Sequence, residues 1–306
     1  MEFKPNFAII GAQKAGTTTL HRLLKQHPDI AMSEPKETIF FADEKLFNKG
    51  IKFYFKNYFR EYNGQKMIGE SSTAYSNYVG LEKTVKRIFE FNKEMKFIYI
   101  LRNPIERAIS SYWWNVRVML ETLPFEKALK LEEERENTTN ILDPWSYKRK
   151  GRYFHVIQTY LKYYKKENLK IVLLDELKSS PQLTCNEIFN FLDISKFQIK
   201  PLPKKNQNPS ALPKNKNLQR FLRRPNKARS AASFLIGHTL GRKVKDRIGS
   251  YMNERNLKYE QYPRINESTY DFLRNYYEKD TKQLEKFLNK NLSSWFNSKD
   301  KICKNS

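Results

Sequence analysis

Cysteine is nearly absent from this chain of 306 residues: Cys185 and Cys303 stand alone and far apart. That excludes a disulfide framework and the paired-cysteine spacing of a zinc site. No apolar run approaches the roughly 18 residues that a membrane-spanning helix needs. Glycine and proline are sparse, 10 and 13 residues, which argues against a low-complexity, disordered chain. Acidic residues are the scarce charge, 33 against 57 lysines and arginines, for a formal charge of +24. A surplus of that size favours an anionic partner such as a phosphorylated ligand, an acidic glycan, a nucleic acid or an anionic membrane surface. A general lysine and asparagine bias accounts for part of it. There are no internal repeats. The residues Met1-Glu2-Phe3-Lys4-Pro5 run straight into the first apolar segment, without the pattern of a secretory signal, so the expected location is cytoplasmic.

What is present is organised around Phe7-Ala8-Ile9-Ile10-Gly11-Ala12-Gln13-Lys14-Ala15-Gly16-Thr17-Thr18-Thr19-Leu20. An apolar run breaks at a glycine-bounded loop, and Leu20, Leu23 and Leu24 then recur at helical intervals. Strand, loop and helix in that order leave the first N–H groups of the helix free for an anion. Gly11 and Gly16 have the spacing of a phosphate-cradling loop. The nucleotide triphosphatase form of that loop carries lysine after its second glycine. Here Thr17 holds that place, and the lysine is Lys14, inside the loop and suited to a single phosphate and the group attached to it.

A second apolar run, Lys96 to Leu101, ends in Arg102-Asn103-Pro104 and leads into a helix carrying Arg107, Ser110 and Ser111. Pro104 suits a first helical turn. Arg102 and Ser110 could hold a second phosphate, the arginine offering a planar fork of donors. Two phosphate sites at the carboxyl ends of two strands suit a doubly phosphorylated nucleotide on an open α/β sheet.

At these residues the chain resembles the sulfotransferase family, in the branch of the heparan sulfate and other carbohydrate sulfotransferases and their bacterial relatives. Gly11 to Thr18 is similar to the family's 5′-phosphosulfate loop, with Gln13, Lys14, Ala15, Gly16, Thr17 and Thr18 as cofactor contacts. Arg102-Asn103-Pro104 through Ser110 is similar to its 3′-phosphate motif, about ninety residues further on. The resemblance implies an α/β, P-loop-type three-layer fold with a central, mainly parallel sheet flanked by helices. It implies 3′-phosphoadenosine 5′-phosphosulfate as cofactor and adenosine 3′,5′-bisphosphate as product, without a metal. It further implies transfer of a sulfuryl group to a hydroxyl or amine of a carbohydrate, a glycolipid or a small hydroxylated molecule. Golgi members of the family carry an amino-terminal anchor, which is not seen here.

The acceptor needs a base close to the sulfur. In the resembling enzymes this is a glutamate four residues before the second member of a Phe-Phe pair, and Glu37 precedes Phe41 by that interval. Glu34 is the alternative base, and Lys36 a neighbouring cation. Glu70, before Ser71, stands where the family has a glutamate next to a lysine or a small residue; several heparan sulfate members hold lysine at the place of Ser71. Tyr153, in Gly151-Arg152-Tyr153, and Lys204 or Lys205, in the place of a cofactor-covering loop, complete the contacts that the resemblance suggests.

The remainder reads more plainly. Phe55, Tyr58, Phe59 and Tyr62 have core spacing, Trp113 and Trp114 suit a core or a cleft wall, and the acidic run Glu132 to Glu136 reads as a solvated helical face. Pro181 to Leu192 reads as a helix capped near Ser179 or Ser180, and Asn266 to Trp295 as a closing helix. The whole is read as one domain, 1–306, in which 203–261 is a basic insertion or lid. There Phe234, Leu235, Leu240, Val244 and Ile248 form an apolar stripe suited either to an anionic membrane or to packing on the domain itself. Two rival readings stay open. Ile171 to Asp175 matches a Walker B strand, as a P-loop kinase or ATPase would need, and the charge suits a basic nucleic-acid-binding module, although nucleic acid is the less favoured partner.

Overall fold

The runs Phe7–Gly11 (β1) and Lys96–Leu101 (β4) are apolar nearly throughout and buried on both faces, the pattern of strands at the centre of a parallel sheet. In the computed structural model, which describes residues 4–135, 142–203, 211–223, 251–259, 262–297 and 299–303, they lie side by side. Ile30–Met32 (β2), Met67–Ser71 (β3) and Leu169–Leu173 (β5) complete a sheet of five strands in the order β2-β3-β1-β4-β5, with every pairing parallel. The chain fills one side of β1 first and then the other, so the carboxyl ends of β1 and β4 form the switch point where such sheets bind ligands.

The two-residue period of the strands divides the core. Ala8 and Ile10 of β1, with Phe97, Tyr99 and Leu101 of β4, face the side covered by Leu81–Phe91 (α4) and Tyr153–Leu161 (α7). Phe7, Ile9, Ile98 and Ile100 face the opposite side, covered by Thr17–Leu24 (α1), Leu174–Ser179 (α8) and Pro181–Phe191 (α9). Helices on both faces make three layers. The short Glu44–Phe47 (α2) and Gly50–Tyr58 (α3) bring Phe47, Tyr54, Phe55, Tyr58 and Phe59 onto the first of these clusters, and Tyr62 packs there too. The aromatic residues of this stretch therefore serve packing, while Lys45, Lys49, Lys52 and Lys56 stay exposed. A third cluster joins Pro104–Arg117 (α5), Phe125–Lys130 (α6) and Glu267–Leu288 (α11) through Ile105, Ala108, Phe125, Leu129, Leu273 and Tyr277.

Between α9 and α11 the described residues include Ala211–Pro213 (β6), Lys216–Arg223 (α10) and Leu257–Tyr259 (β7). β6 and β7 pair antiparallel, Leu212 opposite Lys258, which brings the two flanks of the basic region together. The apolar stripe from Phe234 to Ile248 lies outside the described residues. A last helix, Lys299–Ile302 (α12), follows. Among the described residues no helix is long and apolar enough to cross a membrane.

Three local expectations change. Glu132 does not lie on a solvated helix: it is 3% exposed, in a run of turns, and accepts the N–H groups of Lys148 and Arg149 and the hydroxyl of Ser146. A carboxylate that ties down a backbone reversal cannot be told from a surface acid by spacing. The closing helix stops at Leu288, where Asn289 adopts φ +51° and ends it in the left-handed conformation that asparagine tolerates; Trp295 then sits on a separate 3₁₀ turn. Ser180 does precede α9, but its side chain makes no capping bond and Pro181 at the first position fixes the start.

The centre of the sheet has little tolerance. Phe7 of β1 lies opposite Gly69 of β3, and a Cβ at Gly69 would meet the Phe7 ring at 2.1 Å. Gly69→Ala should therefore destabilise the fold by about 1–3 kcal/mol through overpacking, measured as a lower urea midpoint at unchanged m-value. A midpoint equal to that of the natural protein would contradict this packing.

Candidate active site

The loop after β1 is anchored by the Ala12 N–H, which donates to the Ile100 carbonyl of β4 at 2.7 Å. Lys14 and Gly16 then turn through φ +68° and +98°. At Gly16 a side chain would be strained in φ and would meet Leu174 Cδ1 at 2.7 Å, so glycine is what lets the backbone approach the mouth of α1. That helix begins at Thr17 with no side chain capping it, and its first N–H groups have no acceptor within the helix. Gln13, Lys14, Gly16, Thr17 and Thr18 line one side of a cleft of about 1660 Å³, while Ala15 is buried beneath the loop. The Lys14 ammonium lies 4.4 Å from the centre of the Trp114 ring. Burial first, and then the Arg102 and Arg117 charges, pull its pKa down to about 8.

At the end of β4, Asn103 caps α5 by accepting the N–H groups of Ile105 and Glu106 at 2.9 and 3.3 Å, with Pro104 at the first position. This fixes Arg102 just before the helix and Ser110 on its cleft face. Arg102 donates from Nε and Nη2 to Glu106 at 3.1 and 2.8 Å and from Nη1 to the Lys14 carbonyl at 3.3 Å. The last of these bonds joins the two phosphate motifs directly. A guanidinium has five N–H donors, so two remain for a ligand. Tyr153 is not on the cleft wall: it is 1% exposed, and its hydroxyl donates to the Arg102 carbonyl at 2.8 Å, backing the arginine from below.

Glu37 lines the same cleft. Its Oε2 accepts the Thr73 N–H at 2.8 Å and the Thr73 hydroxyl at 3.2 Å, and its Oε1 pairs with Lys36. Glu34 is exposed and paired with Lys25 at 3.3 Å, off the cleft wall, so of the two candidate bases only Glu37 faces the cleft. Behind it, Glu70 is fully buried among the hydroxyls of Thr38, Tyr54 and Tyr75. Burial pushes its pKa up to about 7 against those donors.

Several contributors carry no sequence signal. Gln13, which lines the cleft, accepts at Oε1 from the Ser111 hydroxyl at 3.3 Å and from Lys150 Nζ at 3.5 Å. Lys150 is 4% exposed and also donates to the Leu142 and Asp143 carbonyls at 2.9 and 2.6 Å; burial pulls its pKa down to about 8. The i,i+4 spacing of Arg102 and Glu106 could have flagged that pair. Trp114 lines the cleft, whereas Trp113 stacks on Tyr262 within the third cluster. Asp175, the Walker B aspartate of the rival reading, is exposed on α8 and off the cleft wall. Lys204 and Lys205 lie outside the described residues.

Comparison with known proteins bears on this geometry. The profile of the sulfotransferase domain matches residues 4–224. Among curated proteins, heparan sulfate glucosamine 3-O-sulfotransferase 5 of Homo sapiens is 30% identical over 194 residues, covering 62% of this chain and 54% of that protein. Membrane-associated sulfotransferase kil1 of Dictyostelium discoideum is 25% identical over 270 residues, covering 62% and 56%. The chain thus spans about half the length of these relatives. A crystal structure of a sulfotransferase from Alicyclobacillus acidocaldarius superposes with a TM-score of 0.67 at 24% identity, covering 96% of this chain and 99% of that one, and so shares the fold. Since the family profile spans most of the sequence, including both phosphate motifs and Glu37, the chain belongs to the sulfotransferase family.

Proposed function

We propose that the protein transfers the sulfuryl group of 3′-phosphoadenosine 5′-phosphosulfate to a hydroxyl or amine of a carbohydrate, free or as the head of a glycolipid. The observation that carries this reading is the hydrogen bond from Arg102 to the Lys14 carbonyl. It sets two cations side by side at adjoining strand ends, both opening into the cleft that Glu37 lines. The donor set fits such a nucleotide: Lys14 and the N-terminal amides of α1 for the phosphosulfate, the free N–H groups of Arg102 and the Ser110 hydroxyl for the 3′-phosphate. The bound donor supplies an activated sulfuryl group and a leaving phosphate. Lys14 and the amides near Gly16, Thr17 and Thr18 neutralise the charge that grows on that phosphate, an effect realised most fully in the transition state. Glu37 accepts the proton of the acceptor. A cleft of this volume exceeds the usual range for a single small ligand, about 300–1,000 Å³, and suits a nucleotide and a sugar together. The names of the curated relatives support a carbohydrate acceptor. Ser71, where several heparan sulfate enzymes have lysine, weakens the case for the same glycan as acceptor.

Isothermal titration with adenosine 3′,5′-bisphosphate should give tight binding without added metal and weak binding of ATP with magnesium; the reverse order would favour a nucleotide triphosphatase. Lys14→Ala should lower turnover on the order of 100- to 1,000-fold, whereas Arg102→Ala should act mainly on affinity for the bisphosphate. Equal, small effects of both would remove these roles. A further outcome concerns pH. The free Lys14 ammonium loses its proton above about 8, while a bound phosphate favours the charged form. Bisphosphate affinity should therefore fall as pH rises from about 8, by up to about tenfold per unit. In Lys14→Arg, whose guanidinium keeps its proton, the profile should be flat. An identical slope in both proteins would assign it elsewhere.

A further inference from the structure

We propose that Glu70 is a positioning residue for Glu37, setting the place of the base through a buried chain of hydroxyls. The inference rests on the reading of Glu37 as the base, and no side chain of the proposed chain other than Glu37 touches the reacting atoms.

The geometry is specific. Glu70 stands on β3, 0% exposed. Its Oε1 accepts the Tyr54 hydroxyl at 2.6 Å and its Oε2 accepts the Thr38 hydroxyl, while the Tyr75 hydroxyl lies 3.0 Å from both oxygens. Thr38 Oγ1 lies 3.2 Å from Ser72 Oγ, which in turn accepts the Ile39 N–H at 2.9 Å. The Tyr75 hydroxyl accepts the Phe41 N–H at 3.3 Å. The network thus sews the segment 38–41 to the segment 70–75. Glu37 is the residue next to Thr38, and its carboxylate rests on Thr73, the residue next to Ser72. Both supports of the base begin one residue from the network.

The proton directions leave little freedom. Because the Thr38 hydroxyl donates to Glu70, Ser72 must donate to Thr38, and Ser72 is then free to accept the Ile39 N–H. Three hydroxyls can all donate inward only to the ionised carboxylate, which is acceptor-only, has room for about four donors and is the form that prevails above pH about 7. A carboxamide of the same shape would aim N–H donors at hydroxyls that already point toward it, so at least one of Thr38, Tyr54 or Tyr75 must reverse. Reversal of Thr38 turns its proton toward Ser72, whose own hydroxyl proton then loses its acceptor and must find another beside Ile39. A displacement of about 1 Å at a catalytic group is sufficient to cost on the order of 100-fold in rate. None of the hydroxyls of this network is among the proposed contacts to the nucleotide, so binding of the bisphosphate should be spared.

The test uses the full chain and the release of labelled sulfate from the labelled donor, with water standing in for the acceptor hydroxyl, alongside titration with adenosine 3′,5′-bisphosphate. Glu70→Gln is expected to lower kcat on the order of 10- to 100-fold while bisphosphate affinity changes by less than about twofold. The deciding measurement is the double variant. If Glu70 acts through Glu37, Glu37→Gln combined with Glu70→Gln is no slower than Glu37→Gln alone; losses that multiply overturn the proposal, because independent sites add in free energy. Glu70→Gln turning over like the natural protein overturns it too. Where Glu70→Gln fails to fold, Thr38→Val, which removes the hydroxyl at nearly constant volume, should show the same loss and the same non-additivity with Glu37→Gln, with Thr38→Ser recovering turnover; a Thr38→Val protein as active as the natural one counts against the proposal. A harmless Glu37→Gln would sink the assignment of the base and this proposal together. A damaging Glu37→Gln with a harmless Glu70→Gln sinks this proposal alone.

Discussion

The pairing of β1 with β4 is the constraint on which the site depends. Because the Ala12 N–H is held by the Ile100 carbonyl, the loop carrying Lys14 and the strand end carrying Arg102 cannot separate. Two cations are brought together, and Arg117 adds a third influence. The cost is visible in Lys14, whose pKa falls from 10.5 to about 8. At about 1.4 kcal/mol per unit, burial and the neighbouring arginines disfavour that ammonium by on the order of 3 kcal/mol. An anion placed beside the two side chains would reverse that disfavour.

Three glutamates within this region show how environment divides one chemistry. Glu34 lies in solvent beside a lysine, Glu37 stands at the cleft with its two oxygens held by Thr73 and Lys36, and Glu70 is sealed behind it. The side chains are the same; what differs is the element that carries them. β3 buries Glu70, whereas the irregular segment after β2 leaves Glu37 at the cleft.

The sheet and the two loops at the ends of its central strands were legible because they rest on local signals: an apolar run without interruption, a glycine pair, a proline two residues after Arg102. The strands β1 and β4 are buried on both faces, so their pattern is a simple run, and the loops at their ends follow directly. Glu37 was legible only through its spacing to Phe41. Lys150, Thr73 and Ser111 were not, because their roles arise from contacts that the folded chain makes over long separations, as when Lys150 reaches Gln13. The error at Glu132 has the same origin, since its partners at Ser146, Lys148 and Arg149 come from a later segment. Tyr153, read from the resemblance as a cofactor contact, is buried and donates to the Arg102 carbonyl, a contact over 51 residues that the sequence does not announce.

The ion pair between Arg102 and Glu106 has a bearing on how quickly the pocket is ready for its next occupant. An arginine tethered at three of its N–H groups does not wander among rotamers. A long, flexible cation left to itself would give up about 1.5–2 kcal/mol of side-chain freedom at each arrival. Here folding has already exacted that loss, so any anion that reaches this end of the cleft meets a fork already aimed.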